Sequence, residues 1–191
     1  VNDLPVLHTQ RLTLFIPGPR DADRCIAYRR QNAEHLRPWE PLADHRAFDL
    51  VAVRETRTQR VEDALAGRLY SFAFVETVSE DGALLGWANL SEIVRGVFQA
   101  CYLGYSLAAA VQGRGYMTEA LYEVIRFAFE DLGLHRIMAN YMPRNARSAA
   151  VLQRLGFTIE GFAHDYLYIA GHWEDHILTS LTTPDPRPPR R

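Results

Sequence analysis

Apolar and polar positions alternate across residues 11–16, with Leu12, Leu14 and Ile16 on one side and Arg11 and Thr13 on the other, which predicts a first strand. Pro17-Gly18-Pro19 ends it, and Asp21 is placed to cap a helix running to about residue 32. Arg37-Pro38-Trp39-Glu40-Pro41 holds two prolines and predicts a rigid loop, followed by a helix over 47–66. Two β-type runs, 70–77 and 83–90, flank a turn at Glu80-Asp81-Gly82. The aromatic-rich run 97–107 predicts another strand. The pattern changes at Gln112-Gly113-Arg114-Gly115. Beyond it Leu121, Val124, Ile125, Ala128, Phe129 and Leu132 follow the 3.6 period of a helix over 116–131, with Gly133 as its stop. Residues 135–142 read as a short strand, and Asn145 caps a helix that stops at Gly156. The runs 157–168 and 172–181 predict a last strand pair around Ala170-Gly171.

A strand, a glycine loop, a helix and a second strand make a βαβ unit, whose strands should be parallel with a right-handed crossover. The flanking strands read as hairpins. The fold class expected is therefore α+β, a mixed sheet carrying helices, and not an all-parallel doubly wound fold. A chain of 191 residues, at about 100–200 per domain, fits one domain over 1–183. Residues 184–191, rich in Pro and Arg, cannot build a core and are expected to form a disordered tail.

Composition narrows the function. Hydrophobic residues make up 48% and charged residues 23%, which suits a folded chain and not a disordered one. With 21 basic against 23 acidic residues the net charge is −2, so direct nucleic-acid binding is not expected. No apolar run approaches the roughly 18–20 residues of a membrane span, and residues 1–10 lack a basic-then-apolar leader pattern. A cytoplasmic protein with no membrane partner is expected. Cys25 and Cys101 lie far apart and fit no CxxC pattern, so two reduced thiols are expected rather than a disulfide.

The main chemical signal runs from Tyr105-Ser106-Leu107 through Gln112-Gly113-Arg114-Gly115-Tyr116-Met117-Thr118. Glycines before a helix leave backbone N–H groups unshielded, and the helix start is electropositive, which suits a phosphate or pyrophosphate. The Walker pattern and the dinucleotide GxGxxG are both absent. Alone, the pair of glycines reads equally well as a tight strand-to-helix turn. One strand later comes Asn145-Ala146-Arg147-Ser148, then Val151, Leu152, Leu155, Gly156 and Phe157. With both motifs in this order, the chain resembles the GNAT N-acetyltransferase superfamily. Arg37-Pro38-Trp39-Glu40-Pro41, Ala88-Asn89-Leu90-Ser91, residues 100–106, residues 135–143 and Leu181-Thr182-Thr183-Pro184-Asp185 narrow the resemblance to its RimJ/RimL branch, on the side of the ribosomal-protein alanine acetyltransferases.

The resemblance implies a mostly antiparallel twisted sheet, a splayed parallel central strand pair and helices on both faces. It implies acetyl-CoA between residues 97–107 and 135–142, and no metal. Its pyrophosphate would sit on the amides of Gly113, Arg114, Gly115, Tyr116 and Met117, with Gln112 and Thr118 also at the cofactor, and its pantetheine arm along Tyr105, Ser106 and Leu107. Asn145 and Ser148 would complete the cofactor site. Met117 departs from the family, which places Gly or Ala there; its N–H survives if the side chain turns away. The partner implied is a protein N-terminus, that of a ribosomal protein within this branch. The acceptor would be bound by Trp39, Glu40, Asn89, Tyr102 and Tyr141. Monomer and homodimer both suit such a fold.

The reaction is attack of a neutral amine on a thioester, and bringing the two together supplies up to about 7–11 kcal/mol. A protein α-amine titrates near about 7.7–8.0 and lysine near about 10.4, so the α-amine is cheaper to deprotonate by roughly 3 kcal/mol. A modest base therefore suits an α-amine. A backbone N–H near Ser106 or Leu107 is the expected oxyanion donor. Tyr102 stands where relatives often carry Glu, which leaves Glu40 and Asp165 as base candidates and Glu160 behind them. Leu152 stands where many relatives carry the acid Tyr, which leaves Ser148 as leaving-group acid, or as a helix-start hydroxyl. Arg95, Arg114, Arg136, Arg144 and Arg147 read either as a patch near the phosphates or as dispersed surface charge, and Phe98 joins the aromatics that either line the acceptor slot or sit in the core. His172-x-x-x-His176 lies on a predicted strand with Glu174 misplaced for either zinc motif. Ser106 has no His/Asp partner for a hydrolase triad. Two other readings use the same features: an acetyltransferase for a small-molecule or antibiotic amine, and a noncatalytic acyl-CoA-binding module.

Overall fold

A computed structural model describes residues 4–79 and 81–183. The expected tail at 184–191, and Glu80 of the predicted turn, lie outside the described residues. The strands are β1 (Leu7–His8), β2 (Leu12–Phe15), β3 (Tyr70–Glu76), β4 (Gly86–Val94), β5 (Ala100–Leu107), β6 (Arg136–Tyr141), β7 (Thr158–Ile169) and β8 (His172–Thr182). The helices are α1 (Ala22–Leu36), α2 (Leu50–Leu65), α3 (Tyr116–Arg126) and α4 (Ala146–Arg154). The sheet runs β1-β2-β3-β4-β5-β6-β8-β7, and every neighbour pair is antiparallel except β5 and β6. This is the expected mixed α+β sheet.

The period-two alternation of β3 separates two cores. Phe72 and Phe74 join Leu12, Leu14, Ala88, Leu90 and the α3 residues Met117, Ala120, Leu121 and Val124 on one face. Ala73 and Val75 join Ala22, Cys25, Ile26 and Tyr28 of α1 and Val53 of α2 on the other. Helices thus cover both faces, α1 and α2 opposite α3 and α4.

β5 and β6 pair only at Ala100–Arg136, Cys101–Ile137 and Tyr102–Met138. Beyond Tyr102, β5 continues to Leu107 against β4, and β6 continues to Tyr141 against β8. The two parallel strands therefore part, leaving the β5 edge over 103–107 and the β6 edge over 139–141 without a strand between them.

Several predicted boundaries move. β1 was not read from the sequence; it is two residues long. Asp21 does not cap α1 with its side chain: its carboxylate accepts from the Gly18 N–H at 3.0 Å and binds Arg24. The 116–131 helix leaves the α form after Arg126, where Leu132 N–H reaches back to Phe127 O at 3.0 Å in a wider, π-type turn. That turn sets the Phe127 ring edge-on to Tyr70 and Phe72, at 5.1 and 5.5 Å. β5 starts at Ala100 and not at 97, because Gly96 and Gln99 both adopt positive φ, which breaks strand pairing. Cys25 and Cys101 are both buried and free.

Candidate active site

The glycine loop lies between the end of β5 and α3. Gly113 and Gly115 sit at φ +76° and +79°, a left-handed backbone that glycine adopts without strain. Gln112 N–H bonds Ala109 O and Glu119 N–H bonds Gly115 O, but among the described residues no amide from 113 to 118 donates to a backbone carbonyl. These are the orphan donors of a helix start, with no capping side chain on Gly115. No heavy atom lies within 4 Å of where a Gly113 Cβ would stand. The loop thus offers open, electropositive N–H groups, which fits a diphosphate. Met117 is buried in the α3 core, so its side chain points away from the loop.

Arg11 braces this loop. Its side chain donates to Glu119 at 2.6 Å and to Arg114 O at 3.0 Å, and stacks 4.5 Å from the Tyr116 ring centroid. Arg147 donates to Gln112 Oε1 at 2.7 Å, and Gln112 Nε2 meets His35 of α1 at 2.9 Å. Of the arginines weighed as a patch, Arg114 and Arg147 are here. Arg95 binds Leu132 O, Arg136 pairs with Glu160 and Arg144 with Glu174, so those three are dispersed.

A side-chain contact spans the mouth of the strand gap. Tyr105 on β5 shares a 2.6 Å hydrogen bond with Ser148 Oγ on α4, the helix that follows β6. Burial pushes the Tyr105 pKa up to about 12, so its proton stays on at neutral pH. Asn145 Oδ1 accepts from Ser148 N–H at 3.1 Å, which is the predicted helix cap. That use leaves its amide nitrogen without a partner among the described residues.

On the opposite face, a cavity of about 920 Å³ lies between α1, α2, their connecting loop and the sheet. The alternation of β4 explains its floor: Ala88 and Leu90 enter the α3 core, while Trp87, Asn89 and Ser91 face the cavity. Ser71 donates to Asn89 Oδ1 at 2.6 Å. Ser106, from the stretch of β5 that has parted from β6, reaches the same cavity and bonds Tyr28 Oη at 3.1 Å. Burial pushes the Tyr28 pKa up to about 12. Glu40 lines the cavity, and burial raises its pKa against the opposing pull of Arg29 and His35. Its loop is tied down by Ala170 N–H donating to Glu40 O at 3.1 Å.

The structure therefore brings Glu40 and Asn89 together and leaves the other expected acceptor residues elsewhere. Trp39 lies under Arg144, 5.7 Å from its ring centroid, and that arginine is fixed by Glu174. Tyr102 and Asn140 meet at the Tyr166 hydroxyl, at 3.4 and 3.2 Å. Tyr141 packs against the larger core, and Phe98 stays exposed ahead of β5. Asp165 sits at an exposed bulge of β7 with φ +46°, its N–H donating to Asp175. Tyr28, Trp87, Ser91 and Arg57 line the cavity without having been read from the sequence; the β4 alternation was the signal for Trp87 and Ser91.

Known proteins share this fold. A family model described as Acetyltransferase (GNAT) domain matches residues 11–158. The chain is 44% identical over 184 residues to the [Ribosomal protein uS5]-alanine N-acetyltransferase of Escherichia coli (strain K12), covering 96% of this chain and 94% of that one. Among solved structures, ribosomal-protein-S5-alanine acetyltransferase from Vibrio fischeri superposes with a TM-score of 0.90 at 38% identity, over 96% of this chain and 100% of that one. Mycobacterium smegmatis RimJ in complex with CoA-disulfide gives a TM-score of 0.83 at 28% identity, over 94% and 86%.

Proposed function

The chain belongs to the GNAT acetyltransferase family, in its RimJ/RimL branch, and from that premise we propose that it acetylates the N-terminal α-amine of a protein beginning with Ala or Ser, a ribosomal protein in the cytoplasm. The enzyme is an acetyl-CoA-dependent N-acetyltransferase. When bound, acetyl-CoA supplies the activated acetyl group as a thioester. The residues of this chain bind and orient the two reactants from opposite faces of the sheet.

The amides of 113–118 hold the diphosphate, with Arg11 bracing the loop and Arg114 and Arg147 beside it. The free edge of β5 over 105–107 and the Asn145 amide nitrogen hold the pantetheine arm. The acceptor enters from the α1–α2 cavity. There Glu40, with its raised pKa, takes the ammonium proton directly or through water. Ser148 gives a proton to the departing thiolate and takes one back from the attacking nitrogen, which sheds its second proton on becoming an amide, and Tyr105 holds the Ser148 hydroxyl in place. A backbone N–H at Ser106 or Leu107 faces the developing oxyanion.

The parting of β5 and β6 beyond Tyr102 carries this reading, because it opens the sheet between the glycine loop and the cavity. The test is acetyl transfer to an Ala-first peptide, to the same peptide blocked at its amino end but carrying Lys, and to an aminoglycoside. Transfer to the first alone is expected. Preference for the aminoglycoside, or thiol release with none of the three, contradicts it.

A further inference from the structure

The α1–α2 cavity holds a buried cation without a counter-ion among the described residues. Arg57 on α2 is 8% exposed and lines the cavity. Its Nε and Nη1 are buried and have no hydrogen-bond partner among the described residues. Its guanidinium lies 5.1 Å from the Trp87 ring centroid. Burial pulls its pKa down; the nearby Cys25 thiol opposes that pull, and the like-signed Arg60 and Arg29 add to it. Among the described residues none of the cavity's acids, Glu34, Glu40 and Asp44, pairs with Arg57: Glu40 acts on Arg29 and His35, and Asp44 contacts His45 and accepts from the Arg46 backbone N–H. Five arginines line this cavity against three acids.

A buried charge left unpaired is costly, and proteins keep one where a ligand completes it. The planar guanidinium fork matches a carboxylate. The cavity is also polarised. Glu40 acts on Tyr28, which bonds Ser106 beside the strand gap, whereas Arg57 lies against Trp87 under α2. One region suits an ammonium group and the other a carboxylate.

We propose that Arg57, flanked by Arg29 and Arg60, binds an Asp or Glu side chain within the first few residues of the acceptor, so that the enzyme selects N-termini followed by an acid. This rests on the reading of the cavity as the acceptor site. It makes Arg57 a specificity residue that touches substrate and takes no part in the chemistry.

The test measures peptide binding calorimetrically on the CoA-loaded full-length enzyme, so it does not depend on turnover. Ala-first peptides carry Glu or Gln at the second, third or fourth position. At one position Glu should bind tighter than Gln by roughly ten- to a hundredfold, the range for a hydrogen bond to a charged group. Arg57→Gln should erase that ratio by weakening the Glu peptide alone, and Arg57→Lys should restore part of it. The CoA affinity and melting temperature of Arg57→Gln report its folding, and neither should fall, since the variant removes an unpaired buried charge. Equal binding of Glu and Gln peptides at every position, or a Glu preference that survives Arg57→Gln, overturns the proposal. Failure of the functional reading shows separately, as absence of acetyl transfer whatever the binding ratio.

Discussion

Ser148→Ala removes one end of the contact that spans the strand gap. In the wild type the Tyr105 and Ser148 hydroxyls lie 2.6 Å apart, and the Ser148 carbonyl is the next acceptor for Tyr105, at 3.4 Å. A hydrogen bond of this kind contributes about 0.5–1.5 kcal/mol net. If Ser148 only supported structure, loss of that whole amount from kcat would slow the reaction about tenfold at most, since each 1.36 kcal/mol is a factor of ten. A group that protonates the leaving thiolate contributes about 10²–10⁴-fold. The assay is steady-state release of CoA thiol with an Ala-first peptide, with kcat and KM read separately. Ser148→Ala should lower kcat by about 10²-fold or more and leave the KM for acetyl-CoA unchanged. Tyr105→Phe should cost less, and the double variant should cost no more than Ser148→Ala alone, because the two hydroxyls act as one unit. A kcat loss below about tenfold, or additive losses, would refute the role given to Ser148.

Glu40→Gln should lower kcat by about 10²-fold or more and abolish the acid limb of the pH–rate profile. Because burial raises the Glu40 pKa, the native state holds its proton more tightly than the unfolded chain does. The stability this gives is full below the ordinary Glu value of about 4.3 and is lost as pH rises through the raised value. Glu40→Gln should therefore melt no lower than wild type at pH 7, with calorimetric scans across pH as the check. Asn145→Ala removes the α4 cap, about 1 kcal/mol, and should lower the melting temperature by about 2–4 °C while raising the KM for acetyl-CoA. Gly86→Ala places a Cβ 2.5 Å from the Ser106 carbonyl oxygen and closer still to the Phe74 ring. Overpacking of this kind costs about 1–3 kcal/mol, and thermal melting and the peptide KM should both report the shift of β5.

The glycine loop, α3, β6 and the capped α4 are legible in the sequence because each is set by local rules: period, cap and stop. The strand gap follows only from the family resemblance, which implies a splayed parallel pair, and not from the residues' own pattern. Residues 97–107 and 135–142 read as strands, but the point at which they part depends on how far each pairs with β4 and β8. The acceptor side was half legible. Glu40 and Asn89 line the cavity, whereas Trp39 and Tyr141 do not, because the direction of a proline-rich loop is fixed by its contacts, here Arg144 and the Ala170 amide. Arg57 was not singled out from the sequence, although it lies one turn beyond Val53, on the stripe that Ala64 continues into the core. Arg11, over one hundred residues from the loop it braces, carries no local signal at all.

The central claim is that the cofactor lies in the gap between β5 and β6 with its diphosphate on the start of α3. Hydrogen–deuterium exchange with and without CoA tests it directly. Protection should appear at the amides of 113–118, which have no backbone partner among the described residues, and along 105–107. Protection confined to the α1–α2 cavity, with the glycine-loop amides exchanging as fast as before, would contradict it.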